Sequence, residues 1–323
     1  MDKKRRCRII MIAIMILSVI IIASVIAVIV HYSVLHRDTR FIHYNGDRYR
    51  YRDDISTLLV IGIDDNDDEE ESSLDNFYRN SSQADFLLLV VFDKTAKSYK
   101  VIQINRDSMA SIRTYDIMGD YAGTNIAQIS LSHTYGDGGE SSCEDTVYAV
   151  SNLLFGIDVD NYISITTDVV PILNDLVGGV DVPIEDDFSG VDDTLVMGRT
   201  VHLQGQHALI YIRARRDMVD DDSNEARMRR QHTYLYALEE AMRDSFMDNP
   251  SFAVDAYEAV SDHTITNIDV SDIPSLAYEF ASYEFEGIVS IEGESSMGER
   301  YIEFYVDEEA LQELVIREFY EPA

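Results

Sequence analysis

The sequence predicts an α/β layered domain held outside a membrane by one N-terminal helix. Three observations lead there. Residues 9–30 form an unbroken apolar run behind a basic start. Short β-branched runs ending in turn residues then alternate with segments of helical periodicity. Finally, 46% of the 323 residues are hydrophobic, enough to bury a substantial core. The formal charge of −33 argues against nucleic acid as a partner, because a phosphate backbone calls for a basic surface. With only Cys7 and Cys143 there is no disulfide framework and no Cys-based metal site, and Cys143 reads as a lone buried thiol.

Taken in order, residues 1–8 are a basic tail in which Lys3, Lys4, Arg5, Arg6 and Arg8 hold the N-terminus in the cytoplasm. Residues 9–30 are long enough to cross the hydrocarbon core as a helix. A cleaved signal peptide is the competitor, but the run exceeds a usual signal-peptide core and IVHYSVLHR offers no small-x-small cleavage site. Residues 31–54, polar and rich in Arg, Tyr and Asp, read as a juxtamembrane linker, and 55–323 as one extracellular domain. TLLVIGIDD and DFLLLVVFD read as buried strands, with KSYKVIQINRD as the hairpin partner of the second. SCEDTVYAVSNLLFGI has helical spacing, with Ser142 and Asp145 placed as a capping pair. YISITT follows as a strand, DVVPILNDLVGG as a helix with a glycine stop, and VDVPI as a strand. GQHALIYIRARR suits a short helix, yet Tyr211, Arg213 and Arg215 share a face only in an extended chain. A helix spans 225–247, with Arg227, Arg230 and Gln231 assigned to one side, and YIEFYVDEEALQELVIREFY closes the domain as a strand and a helix.

Familiar catalytic motifs are missing: no Walker A, no GxSxG, no HExxH, and eight scattered histidines. Three carboxylates stand at strand ends instead. Asp64 follows TLLVIGI, Asp85 opens FLLLVVF and Asp107 follows KVIQINR. Such ends are where α/β proteins place ligands, although aspartates also cap turns there. Six arginines gather between Tyr211 and Gln231 in a chain with few of them. Arginine forks grip phosphate bidentately, and carboxylates beside them suit a divalent cation on a pyrophosphate. The competing reading is a salt-bridge network with Asp217 and Asp220 to Asp222. It leaves the alternation of Arg213 and Arg215, and the recurrence of arginine along a helix face, without a reason.

The ordered motifs LLVIGIDD, QADFLLLVVFDKTAK, INRDS, QISLSHTYGDGG, LVGGVDVPI, HLQGQHALIYIRAR and ARMRRQ resemble the LytR-CpsA-Psr family from about Thr57 to Leu238. The resemblance implies a single α/β/α layered domain with a mixed central sheet, preceded by one N-terminal transmembrane helix. It implies a Mg²⁺-assisted phosphotransferase. Such an enzyme moves a teichoic acid or capsular polysaccharide from an undecaprenyl-pyrophosphate carrier to peptidoglycan, through a phosphodiester. Asp64 and Asp85 would hold the Mg²⁺. Arg106, Arg213, Arg215, Arg227 and Gln231 would bind phosphate oxygens, with Asp107 and Arg230 as helpers. Asp85, Arg106, Asp107, Arg213 and Arg215 would form the catalytic set. The apolar stretches 147–154 and 169–177 are either walls of a prenyl channel or ordinary core.

Two positions depart from the family pattern. Gln83 stands where an arginine is usual and Gln128 where a lysine is usual, so two substrate-facing cations become neutral amides. A phosphate-binding chain that holds a lipid-linked glycan without transferring it is the alternative this opens.

Overall fold

Asn45-Gly46 is a dipeptide that accepts left-handed backbone at both positions, with φ of 51° and 90°, and so closes a two-residue hairpin. It joins β1 (Phe41–Tyr44) to β2 (Asp47–Tyr51), with Tyr44 opposite Asp47. Residues 41–51, expected to be linker, are therefore strands. The computed structural model describes residues 41–64, 82–116, 118–214, 218 and 223–323, with the side chain of Asp64 outside that set. The expected membrane helix over 9–30 lies outside the described residues.

β3 (Ile55–Asp64), β4 (Gln83–Asp93) and β5 (Ser98–Ile104) follow as an antiparallel meander. Then come the hairpin of β6 (Met109–Tyr115) and β7 (Tyr121–Gln128), a 3-10 segment over Ile129–Thr134, and helix α1 (Glu140–Leu153). The chain continues through β8 (Asn161–Thr166), α2 (Val169–Leu176), β9 (Val180–Pro183), β10 (Thr200–Leu203), α3 (Gln206–Arg213) and α4 (Asn224–Asp248). It then forms α5 (Phe252–Val260), β11 (Thr264–Thr266), α6 (Ile273–Phe280), β12 (Glu284–Ser290), β13 (Gly293–Met297) and β14 (Ile302–Val306). Last are α7 (Glu308–Phe319) and β15 (Tyr320–Pro322).

Contacts divide the chain into two units: the described residues up to Asp53 with Ile316–Ala323, and Asp54–Val315. The first is a three-stranded sheet ordered β1-β2-β15, with Tyr51 edge-on to Tyr320. The second is a mixed α/β domain around a six-stranded sheet ordered β11-β8-β3-β4-β5-β12. β3 runs parallel to β8 and β5 parallel to β12, while the other neighbours are antiparallel, so the sheet is mixed. Leu59, Ile61, Leu87 and Leu89, paired across β3 and β4 on one face, are each 0% exposed. On the other face Leu88 is 5% exposed with Leu58, Val60 and Val90 half-buried, so the central strands are covered on both sides. A second core joins Val180, Val182, Leu203 and Tyr211 of β9, β10 and α3, with Phe188 between β9 and β10, to Tyr234 of α4.

Helix α1 starts at Glu140 behind Gly139, so Ser142 and Asp145 lie inside it and are not its capping pair. Ser142 Oγ accepts from the Gly138 amide at 2.9 Å. Asp145 is buried, accepting from Tyr115 Oη at 2.8 Å and Arg113 Nη1 at 3.3 Å, and burial pushes its carboxyl up.

Candidate functional site

β4 carries a bulge. Gly62 pairs with Phe86 and Ile63 with Ala84, which leaves Asp85 as the extra residue on β4. A bulge interrupts the ladder and re-aims a side chain, and Asp85 turns to the wall of a cavity of about 650 Å³. That volume lies in the range of ligand sites. The cavity opens beyond the carboxyl ends of the parallel pair β3 and β8, at Ile63 and Thr166, where ligands bind in open α/β sheets.

The lining is amphipathic. Along α4 it reads Arg227, Gln231, Tyr234, Leu235 and Leu238, passing from charge to apolar surface over about 16 Å of helix. Val169, Val170 and Leu173 of α2 and Ile210 of α3 continue the apolar part. Of the two apolar stretches proposed to wall a prenyl channel, 169–177 contributes lining, whereas Val150, Leu153 and Leu154 of the other are core. Among the described residues, Arg106, Arg213 and Arg227 line the same cavity.

Arg106 is the most closely held. Its Nη1 lies 2.5 Å from Asp85 Oδ2 and its Nη2 donates to Gln83 Oε1 at 2.5 Å, while its Nε lies 3.7 Å from Asp107 Oδ1. Gln83 thus acts through Arg106. Asp107 is 4% exposed and does not line the cavity. Its Oδ1 accepts from Gln128 Nε2 at 3.0 Å, and the same amide donates to the Ile302 carbonyl at 2.8 Å. Asp107 and Gln128, expected at the substrate, stand behind Arg106 instead. An amide at 128 satisfies a carboxylate and a carbonyl together, which keeps the buried Asp107 hydrogen-bonded.

Arg230 is a second correction. It is 3% exposed and makes a buried anchor. Nη1 pairs with Asp186 Oδ2 at 2.7 Å, Nε donates to the Tyr211 carbonyl at 3.2 Å, and Nη2 donates to the Ala214 carbonyl. Those carbonyls close α3, so Arg230 caps the helix whose last residue is Arg213. Arg215 lies outside the described residues, as do Arg216, Asp217 and Asp220 to Asp222. QHALIYIR is helical behind Gly205, with Arg213 exposed at its end.

Sequence reasoning missed a chain of buried amides behind the arginines. Arg227 Nη2 donates to Asn224 Oδ1 at 2.6 Å, and Asn224 Nδ2 donates to Asn105 Oδ1 at 2.7 Å. Gln103 Nε2 donates to Gln231 Oε1 at 3.0 Å. No periodicity announces a buried amide; only the fold shows that Asn224 meets Asn105 and Gln103 meets Gln231. Cys143, read as buried, is 0% exposed, with its Sγ 3.9 Å from His133 Nε2 and its thiol pushed up to about 11 by burial.

For Mg²⁺, the donor chemistry fits. Asp85 supplies hard oxygens at the cavity wall, and Asp64 ends β3 opposite Gln83, two residues from Asp85. Among the described residues no cluster of three or more ligating side chains exists. A cation that keeps waters and takes oxygens from its phosphate substrate needs no more than one or two carboxylates, and that is the habit of Mg²⁺.

TagV of Bacillus subtilis (strain 168), described as a polyisoprenyl-teichoic acid–peptidoglycan teichoic acid transferase, is 29% identical over 196 residues. The match takes in 59% of this chain and 46% of TagV, so the chain spans about half the length of that relative. The crystal structure of B. subtilis TagV superimposes with a TM-score of 0.61 at 23% identity, covering 83% of this chain and 98% of that one. TagT bound to LI-WTA gives 0.61 at 20% identity, covering 82% and 89%. The Lin1025 protein of Listeria innocua gives 0.56 at 24% identity, covering 82% and 97%. These likenesses bear on the fold. The model of the LytR_cpsA_psr family matches residues 26–318, which takes in every element that builds the cavity. The chain belongs to the LytR-CpsA-Psr family.

Proposed function

We propose that the chain is a membrane-anchored extracytoplasmic phosphotransferase that moves a glycopolymer of the teichoic acid or capsular polysaccharide type from a polyprenyl-pyrophosphate carrier to peptidoglycan. One observation carries the reading: a single cavity pairs an apolar interior with Arg106, Arg213 and Arg227. A prenyl chain needs the first and a diphosphate the second. The name of TagV supports the same class of reaction, and the basic tail before residues 9–30 supports the orientation.

The arginines would bind the pyrophosphate oxygens, and Gln231 would add a neutral contact from the same turn of α4 as Arg227. Arg106, clamped by Asp85 and Gln83, meets the developing charge without reorganising, which is where electrostatic stabilisation is most effective. An acceptor hydroxyl attacks the sugar-proximal phosphorus. One P–O bond forms to that oxygen, the bridging P–O bond breaks, the hydroxyl proton passes to the medium and prenyl monophosphate departs. Mg²⁺ held by Asp64 and Asp85 would neutralise charge on the pyrophosphate.

The test uses the full chain in detergent with a lipid-linked glycopolymer and peptidoglycan. Transfer should require Mg²⁺, and Asp85→Asn should abolish it with the melting temperature preserved. A chain that binds the lipid-linked donor yet transfers nothing under any metal is a binder, and the phosphotransferase reading falls.

A further inference from the structure

Helix α4 is a party wall. Arg227, Gln231 and Leu238 face the cavity just described, while Glu225, Arg229 and His232 on its other side face a second one of about 820 Å³. This second cavity lies beyond the carboxyl ends of the parallel pair β5 and β12, marked by Asn105 and Ser290, again where an α/β sheet places ligands. Hairpin β13–β14 closes it with Glu294, Phe304 and Tyr305. The two cavities come within one residue of each other, since Asn105 lines the second and Arg106 the first.

We propose that this second cavity seats the acceptor, as a neutral glycan strand bearing hydroxyl and acetamido groups. The proposal rests on the phosphotransfer reading of the first cavity. Its chemistry comes from three features. Asn105 is 1% exposed, and its Oδ1 accepts from the Asp107 amide at 2.9 Å and from Asn224 Nδ2 at 2.7 Å. That fixes which way the side-chain amide faces, and its Nδ2 has no acceptor among the described residues. Asn105 lines the cavity, so this donor at its wall is placed to give a hydrogen bond to a ligand oxygen such as an acetamido carbonyl. Second, the carboxylates Glu225, Glu292, Glu294 and Asp307 outnumber Arg229, and burial pushes the His232 imidazole down, towards its neutral form. Such a lining accepts hydrogen bonds from hydroxyls and repels a diphosphate, so the two cavities sort donor from acceptor by charge. Third, Tyr305 is 53% exposed on the cavity wall, with its hydroxyl tied to Glu303 Oε2 at 2.6 Å, offering a fixed ring for a sugar to stack on.

The amide chain links the sites. Asn224 joins Asn105 to Arg227, so an acceptor held at Asn105 rests on the side chain that orients a phosphate-binding arginine.

Chitotetraose, a neutral tetramer of N-acetylglucosamine, is the probe, titrated by calorimetry into the full chain in detergent. Saturable binding is expected. The double variant Glu294→Ala/Tyr305→Ala, both at exposed positions of β13 and β14, should weaken it by about tenfold or more through lost hydrogen bonding and stacking, with affinity for a short-chain prenyl pyrophosphate unchanged. Arg213→Ala should do the reverse. The proposal is overturned by no saturable binding, by equal binding in the double variant, by displacement of the sugar by prenyl pyrophosphate, or by tighter binding of spermidine than of sugar. Sugar binding that the double variant loses, in a chain that binds no prenyl pyrophosphate, leaves the glycan seat standing and removes the donor reading instead.

Discussion

Arginines that look alike in the sequence have different work in the fold. Arg227, Arg230 and Gln231 were grouped on one face, yet at 100° per residue Arg230 sits 60° to one side of Arg227 and Gln231 about 40° to the other. That divergence sends Gln231 to the cavity and Arg230 to Asp186 and the end of α3. The carboxylates split similarly. Asp85 reaches the cavity because of a bulge, and Asp107, also at a strand end, is buried behind Arg106. Strand-end position was legible; which way each side chain faces was not. Two substitutions separate the roles. Arg213→Lys keeps the charge but loses the fork, and should weaken prenyl pyrophosphate binding by about 1.5–3 kcal/mol with little change in melting temperature. Arg230→Met leaves Asp186 and two carbonyls without their donor, and should cost about 3–5 kcal/mol of stability. Denaturant midpoints and calorimetric affinities measured on both variants decide. Matched profiles would mean that the cluster is one undivided salt-bridge surface.

At the scale of elements, periodicity served well where burial is strong. The runs TLLVIGI and DFLLLVVF have little but strand to become, because a sheet covered on both faces asks for continuous apolar sequence. Polarity hides the β1–β2 hairpin, although Asn45-Gly46 and the alternating Arg and Tyr of DRYRY both mark it in the sequence. The bulge has a quieter mark. A Cβ added at Gly62 would lie 2.8 Å from Phe86 Cβ, so only glycine lets Phe86 sit directly across from β3. Gly62→Ala should therefore push Phe86 aside and shift Asp85 with it. Overpacking of this kind costs about 1–3 kcal/mol. We expect a lower melting temperature together with weaker prenyl pyrophosphate binding, although residue 62 bears no polar group. A variant that melts lower but binds normally would show that the bulge does not aim Asp85.

The whole molecule sets a condition that no single residue reveals. Its formal charge is −33, and its proposed donor is an anion. Three arginines hold that anion locally, but an approaching diphosphate first meets the summed field of the chain, which repels it. The ranges differ. At ionic strength near 0.01 M the screening length is about 30 Å, so the whole acidic surface is felt; at 0.15 M it is about 8 Å, and only the cavity is. Contacts made inside a partly enclosed site are screened much less at either salt. Association should accordingly quicken as salt rises from about 0.01 to 0.15 M, opposite to the usual behaviour of an oppositely charged pair, while dissociation changes little. Stopped-flow fluorescence with a short-chain, water-soluble prenyl pyrophosphate reads both rates without a bilayer. Association that slows with added salt would mean that the arginines dominate the field even at a distance, and that the acidic surface is turned away from the mouth of the site.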